Sequence, residues 1–186
     1  MGLEVTKEAA RIPEIPELSM MDFELPELSE KNRKNSKSYS AIFNGEVMSV
    51  QVSNDLSLDE GVVHDMAITI SHPRSGSGAK IFISVERKPY GYLGTTDVNN
   101  YEYKFQNPRF LKGAARTLWE ISTGIMQKYA NLLTAPVKHV VSKTPNYDLG
   151  MTNEKWDELM LPLFDKYGYE RVDEYLWEKT YNPKEQ

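Results

Sequence analysis

Three small residues lie where the longest predicted helix of the chain begins, and basic residues flank them. The small residues are Gly113, Ala114 and Ala115, and the basic ones are Arg109, Lys112 and Arg116. The first turn of a helix has backbone N–H groups without partners, and its dipole favours negative charge. Side chains no larger than a methyl group leave room for an anion. The pattern predicts an anion site, although the same residues would also let the helix pack closely on a sheet.

Composition excludes several kinds of site and bounds the size of the fold. The chain has 186 residues, 40% of them hydrophobic and 26% charged, which suits one sizeable core. It has no cysteine, so it forms neither disulfides nor thiolate metal sites. The three histidines, His64, His72 and His139, are too scattered to indicate a histidine metal site. We therefore predict no bound metal.

Charge and hydropathy bear on partners and location. The net charge of -5 argues against a general nucleic-acid binder, because neutralising phosphates requires a basic face. No apolar run approaches the roughly 18 to 20 residues of a membrane span, and the N-terminus lacks the pattern of a signal peptide. We therefore expect a cytoplasmic protein without a membrane span.

Residues 1–38 differ in composition from the rest and are predicted to form an extended, acidic arm. The arm contains Pro13, Pro16 and Pro26, which favour extended chain over a packed helix. It is either a disordered tail or a segment that docks on another subunit through four apolar side chains, those of Leu18, Phe23, Leu25 and Leu28. The second interpretation makes residues 1–38 the means of self-assembly or of binding a protein partner. Residues 39–186 are predicted to form one domain.

The first half of that domain has the pattern of strands. Asn44-Gly45 predicts a hairpin between Ser40 to Phe43 and Val47 to Val52. The alternating residues from His64 to His72 and from Ile81 to Val85 predict a second antiparallel pair. Tyr101 to Phe105 is predicted as a short strand, and the turn-rich stretch Pro89 to Asn100 as a loop.

The second half has the pattern of helices between strands. Phe110 to Leu133 predicts the long helix, and Val137 to Ser142 a buried strand. A second helix is predicted to begin after Thr152 and to end at Gly168. Its buried face is predicted to carry Trp156, Leu159, Met160, Leu163 and Tyr167. Arg171 to Tyr181 is predicted as the last strand.

This order of elements, together with the run Leu163-Phe164-Asp165-Lys166-Tyr167-Gly168-Tyr169, resembles the GNAT superfamily of N-acetyltransferases over residues 39 to 182. The resemblance implies an α/β (α+β) fold in which helices flank a mixed, mostly antiparallel sheet, with residues 1–38 added as an arm. It also implies transfer of an acetyl group from acetyl-CoA to an amine. The amine itself is not readable from the sequence.

The resemblance assigns roles to individual residues. It implies that the diphosphate of acetyl-CoA binds the turn at the start of the long helix, where six residues are candidates: Arg109, Lys112, Gly113, Ala114, Ala115 and Arg116. In the family this turn begins with a polar residue, where this chain has Phe110. The family's closing motif has a tyrosine that protonates the leaving thiolate, where this chain has Phe164, and a phenyl ring has no proton to give. Tyr167 or Tyr147 would have to replace it. Glu102, His64 and His72 are candidates for the base.

Two other functions stay open. In the first, the fold is kept without catalysis, and the chain is an interaction or assembly protein. Proteins of this kind resemble those of bacteriophages, including virion-associated ones, and the location would then be an infected bacterial cell or the virion. Such a protein would bind partners through residues 1–38 and a tyrosine-rich region, Tyr90, Tyr92, Tyr101 and Tyr103. In the second, the chain is an unrelated α+β binding module.

Overall fold

The computed structural model describes residues 14–25, 34–55, 62–101, 112–143 and 152–184. Within these ranges the chain forms one eight-stranded sheet and two α-helices. The elements in chain order are a 3-10 helix (Leu18–Met20), β1 (Lys34–Phe43), β2 (Glu46–Asp55), β3 (Val62–Ser71), β4 (Gly78–Lys88), β5 (Gly91–Tyr101), α1 (Ala114–Leu133), β6 (Val137–Ser142), α2 (Asn153–Tyr167), β7 (Glu170–Arg171) and β8 (Leu176–Tyr181). The predicted fold class, a mostly antiparallel sheet with helices, is confirmed.

The sheet has the strand order β1-β2-β3-β4-β5-β6-β8-β7. Its first five strands form an antiparallel meander, and β5 pairs with β6 in parallel. The chain therefore crosses over from β5 to β6, and α1 makes this connection. After α2, strand β8 inserts between β6 and β7 and is antiparallel to both.

Local sequence signals correctly predicted one hairpin turn and both ends of helix α2. Asn44 and Gly45 both have positive φ, 50° and 78°, which suits the tight hairpin between β1 and β2. Helix α2 begins where the Thr152 hydroxyl accepts a hydrogen bond from the Lys155 N–H at 3.3 Å. It ends where Gly168, at φ 67°, donates its N–H to the Asp165 carbonyl.

Two predicted elements and one predicted contact are wrong. The stretch Pro89 to Asn100 is not a loop, because β5 pairs with β4 over eleven residue pairs, from Gly78↔Tyr101 to Lys88↔Gly91. The last predicted strand is a hairpin, in which β7 and β8 are joined by residues 172–175. Leu159 does not lie on the buried face of α2, since 52% of its surface is exposed. The predicted strand from Tyr101 to Phe105 lies outside the described residues except for Tyr101, which belongs to β5.

Both helices pack on the same face of the sheet. Alternate residues of a strand point to the same side, so Trp177 and Tyr181 of β8 share a face. Trp177 packs against Trp156 of α2 with ring centroids 5.3 Å apart, while Tyr181 joins the core formed with α1. The other face carries polar side chains, such as Lys80, together with Phe82, which is 40% exposed. Neither helix has the length and apolar content needed to cross a bilayer, within the part of the chain that is described.

Residues 14–25 pack against their own domain. Leu18 is fully buried and Phe23 is 3% exposed, and both belong to the core beneath α1. The prediction that these two side chains dock on another subunit is therefore wrong. Leu25 is partly buried against the same core, and Leu28 lies outside the described residues. Strand β1 begins at Lys34, so it crosses the predicted boundary at residue 38.

Candidate functional site

The helix α1 begins directly after two exposed residues, Lys112 and Gly113. Gly113 has φ 85°, and a side chain built there would meet no atom of the described residues within 4 Å. The first turn contains no acidic residue, Ala114 faces the core, and Arg116 is exposed beside the exposed Lys112. The N-terminal end of the helix dipole therefore lies beside two exposed cationic side chains, which is an arrangement that attracts an anion.

Two neighbouring contacts position this turn. The side-chain amide of Asn44, at the tip of the β1–β2 hairpin, donates to the Lys112 carbonyl at 3.0 Å. Glu120 lies one turn further along α1, where its carboxylate is 3.7 Å from the Arg116 Nε and 3.1 Å from the Lys166 Nζ. The positive charge of Arg116 is thus partly offset. Arg109 and Phe110 lie outside the described residues.

The parallel pair β5–β6 is joined at one end only. Its register runs over four residue pairs, from Tyr92↔Val137 to Thr95↔Val140. Strand β5 continues to Tyr101 in its pairing with β4, while Val141 and Ser142 of β6 pair with β8. We call the interval between the two strands beyond Thr95↔Val140 the β5–β6 gap. Within the described residues, β5 has no paired residue in β6 beyond this point.

A chain of hydrogen bonds begins at the point where the ladder ends. The Thr96 hydroxyl lies 3.1 Å from the Nε2 of His139, and the Nδ1 of His139 lies 2.5 Å from the Tyr169 hydroxyl. The Tyr169 hydroxyl is in turn 3.0 Å from that of Tyr181. The three ring residues are buried, His139 completely, whereas Thr96 is half-buried. The chain therefore approaches solvent at Thr96.

Burial fixes the protonation of this chain. Burial, helped by the charge of Lys179 nearby, lowers the pKa of His139 to about 3. Burial also raises the pKa of Tyr169, and it raises the pKa of Tyr181 to about 12. At neutral pH all three rings are therefore uncharged, and they act as hydrogen-bonding groups. They neither supply nor remove a proton as free acids or bases.

The sequence did not single out His139, Tyr169 or Thr96 as site residues. A signal was present, because His139 falls on the inward-facing positions of the predicted buried strand together with Val137 and Val141. A buried imidazole needs partners for both ring nitrogens. The sequence does not show which residues those partners are.

The predicted acid and base residues are not gathered at the gap. Tyr167 is half-buried, and its ring packs edge-on against Trp119 with centroids 5.7 Å apart. It borders a groove of about 250 Å³ between residues 19–23 and the outer side of α1. Phe164 is 1% exposed and packs between Trp119 and Trp177.

The remaining candidates lie elsewhere or outside the described residues. His64 is on β3, which is separated from β5 by β4. His72 follows β3, where its Nδ1 accepts a hydrogen bond from the Ser75 N–H at 3.3 Å and helps to form the turn. Tyr147 and Glu102 lie outside the described residues. None of the three predicted bases is therefore a described residue beside the β5–β6 gap.

Comparison with protein-family models, with curated proteins and with solved structures finds no match to this chain. Within the described ranges, no three His, Asp or Glu side chains come together in a way that could hold a metal ion. The function must therefore be argued from the geometry.

Proposed function

We propose that the chain binds an acyl-CoA thioester, such as acetyl-CoA, and transfers the acyl group to an amine. The observation that carries the proposal is the parallel β5–β6 pair beside the crossover helix α1, whose pairing ends at Thr95↔Val140 although β5 continues to Tyr101. This feature supports the proposal at the level of topology.

The part of β5 that has no paired residue in β6 suits the amide-bearing arm of the coenzyme. Pantetheine carries amide groups along an extended chain, and unused strand groups bind such chains by β-strand-like hydrogen bonds. In the proposed complex, β5 beyond Thr95 supplies these groups. The N–H groups that follow Gly113, with the Lys112 and Arg116 side chains, bind the diphosphate. These residues fit the diphosphate by charge, and no described residue occupies the space beside Gly113.

The reaction proceeds by direct attack of the amine on the thioester carbonyl carbon. A C–N bond forms, the C–S bond breaks with its electron pair on sulfur, and the proton lost by the amine ends on the thiolate. Phe164 cannot supply that proton, because its ring is buried and has no donor. Positioning of the two reactants then provides the catalysis, and we expect slow turnover.

Binding is tested by thermal unfolding with acetyl-CoA. At about a hundredfold excess over Kd the ligand stabilises the protein by about 2.7 kcal/mol, a Tm rise of roughly 5–10 °C for this size. The Lys112→Ala/Arg116→Ala variant should lose most of the rise. Lys80→Ala, which removes a cation from the opposite face of the sheet, is the matched control and should keep it.

Transfer is tested by release of free CoA in the presence of amines. The chain has no cysteine, so a thiol reagent reads CoA without a background from the protein. A folded wild-type protein that shows neither a Tm rise nor thiol release with millimolar acetyl-CoA would refute the proposal.

A second candidate function is that of an interaction protein without catalysis. The buried Phe164 favours it, because the position of the expected acid carries a core side chain. Of the tyrosine-rich region, Tyr90 is 74% exposed in the turn before β5, whereas Tyr92 packs against the core. Sedimentation of the wild type and of Tyr90→Ser tests self-assembly. A monomer in both forms, at concentrations where acetyl-CoA binds, would argue against this candidate.

A further inference from the structure

The β5–β6 gap can be approached from two faces of the sheet, and the two faces differ. On one of them α1 packs on β4, β5 and β6, and its Trp119 shares a core cluster with Val141 of β6. In the proposed complex the diphosphate binds the first turn of α1, so the coenzyme reaches the gap from this face. We call the other face the outer face. Because both described α-helices pack on the first face, the outer face is left for the attacking amine.

Two exposed polar residues border the gap on the outer face. Phe82 alternates along β4 with buried core residues, so it lies on the outer face. Asp97 is directly opposite Phe82 in the antiparallel β4–β5 ladder and therefore shares that face. Asp97 is the second residue of β5 beyond the last pair with β6, and Ser142 is the second residue of β6 beyond the same pair. Both are exposed, so a carboxylate and a hydroxyl flank the outer side of the gap.

We infer that Asp97 binds the ammonium group of the acceptor amine at the outer side of the β5–β6 gap. A carboxylate and an ammonium group form a charge-assisted hydrogen bond. Phe82, which is 40% exposed, lies directly across the ladder and offers apolar surface to the carbon chain beside the ammonium group. An ammonium ion is not a nucleophile, so the bound cation releases one proton to solvent before it attacks the thioester. The inference deepens the proposed function and rests on it.

The charge of Lys80 narrows the class of amine. Its Nζ lies 4.0 Å from the centroid of the Phe82 ring, so a positive charge is held on the outer face beside the residue opposite Asp97. A second ammonium group on the same ligand would be repelled by this charge, whereas a carboxylate would be attracted. The acceptor is therefore a monoamine, favoured when it carries an acid group a few carbon atoms from the nitrogen, and not a diamine.

The role of Asp97 is tested by CoA release with n-butylamine as the acceptor. Asp97→Asn keeps the shape of the side chain and removes its charge. It should raise the KM for n-butylamine about three- to fivefold, as expected for one exposed ion pair, and leave kcat unchanged. This difference from the wild type should disappear in about 1 M salt. Asp65→Asn is the matched control, because it removes a carboxylate from the same face on β3, which β4 separates from β5. It should leave the KM unchanged.

The class of amine is tested with three acceptors that share a chain of four carbon atoms. They are 4-aminobutyrate, n-butylamine and 1,4-diaminobutane, which differ only in the group at the far end of the chain. We expect the KM of the wild type to be lowest for 4-aminobutyrate and highest for 1,4-diaminobutane. A KM for the diamine as low as that for 4-aminobutyrate would refute the selection of monoamines.

A titration without coenzyme separates this inference from the proposed function. n-Butylamine at up to tens of millimolar should shift the backbone ¹H–¹⁵N signals of Asp97 and Ser142, whereas N-butylacetamide, which has no charge, should not. If the amine shifts neither signal, or if Asp97→Asn responds as the wild type does, the inference is wrong even where acetyl-CoA binds and releases CoA. Failure of acetyl-CoA to bind or to release CoA refutes the proposed function, and a shift that Asp97→Asn abolishes would still support the ammonium site.

Discussion

The buried His139 should make the stability of the protein fall in mild acid. Its pKa is lowered by burial from an ordinary value of 6.5 to about 3, with Lys179 of the neighbouring strand adding to the effect. Below pH 6.5 the imidazole therefore becomes protonated in the unfolded chain but stays neutral in the folded protein. The stability that the protein gains by keeping this imidazole neutral is fully present above pH 6.5, and it is lost progressively as the pH falls toward 3. Tyr169, which also faces the imidazole, stays neutral throughout this range.

The magnitude follows from the two pKa values. Between pH 7.5 and pH 5, uptake of one proton by the unfolded state lowers the free energy of unfolding by about 2 kcal/mol. Other groups that titrate in this interval add their own changes. In the His139→Gln variant the other groups still titrate, but the imidazole is absent. The difference between the wild type and the variant therefore gives the pH-dependent free energy that is due to the imidazole alone.

The assay is urea unfolding at pH 7.5 and pH 5, monitored by tryptophan fluorescence. The wild type should lose about 2 kcal/mol more than His139→Gln between the two pH values. Tyr169→Phe is the matched control, because it removes a partner of the imidazole without removing the titrating group. It should be less stable than the wild type at both pH values, by about 1–3 kcal/mol. Between pH 7.5 and pH 5 its free energy of unfolding should fall by as much as that of the wild type.

One result would refute this reasoning directly. If His139→Gln loses as much stability as the wild type between pH 7.5 and pH 5, the imidazole is not held neutral in the folded protein. The buried hydrogen-bond chain described above would then need a different account, since a charged imidazole carries hydrogens on both nitrogens.

Three further predictions concern packing. Each is tested by measuring the free energy of unfolding in urea at a single pH. Leu18→Ala should lower the free energy of unfolding by about 3 kcal/mol, because the side chain is fully buried, whereas Met20→Ala, at 77% exposure, should change it by less than about 0.5 kcal/mol. Gly78→Ala should destabilise by about 1–3 kcal/mol or more, since its new Cβ would lie 2.1 Å from the Ile70 carbonyl oxygen; an unchanged midpoint would show that the strand can move. Phe164→Tyr should cost about 1–3 kcal/mol because it buries a hydroxyl in an aromatic cluster, and a variant as stable as the wild type would show that the hydroxyl finds a partner.

The elements that the sequence predicted are those with strong local causes. Asn44-Gly45 favours a hairpin whatever surrounds it, and Thr152 and Gly168 satisfy helix ends with their own atoms. The apolar stripe of α1 was also readable, because its period depends only on the helix itself.

The elements that were missed depend on distant partners. β5 contains Gly91 and Gly94 among Thr, Asp and Asn residues, a composition that favours a turn; it is a strand because β4 pairs along all of it. Gly94 is required for a reason that no local pattern shows, since a Cβ there would lie 2.5 Å from the Met126 sulfur of α1. Likewise the apolar character of Leu18 was visible in the sequence, but its burial in its own core was not.

The candidate site also has one part with a local cause in the sequence and one part that depends on distant residues. The first turn of α1 could be found because its residues are consecutive, from Lys112 to Arg116. The hydrogen-bond chain could not be found in the sequence, because His139 and Tyr169 are 30 positions apart and meet only when β6 and the end of α2 pack together. The gap itself is a property of pairing between strands, which a single sequence does not display.

The N-terminal segment also has a consequence for the borders of the sheet. Unpaired border strands invite a neighbouring molecule to continue the sheet, which is a route to polymers. On one side the Ile42 N–H of β1 is already occupied by the Pro16 carbonyl at 2.8 Å, and Glu17 bridges the same residue. On the other side β7 contributes two residues, too few for a template. A short proline-bearing stretch that contributes to the core thus also occupies one position of this border strand that another molecule could otherwise pair with.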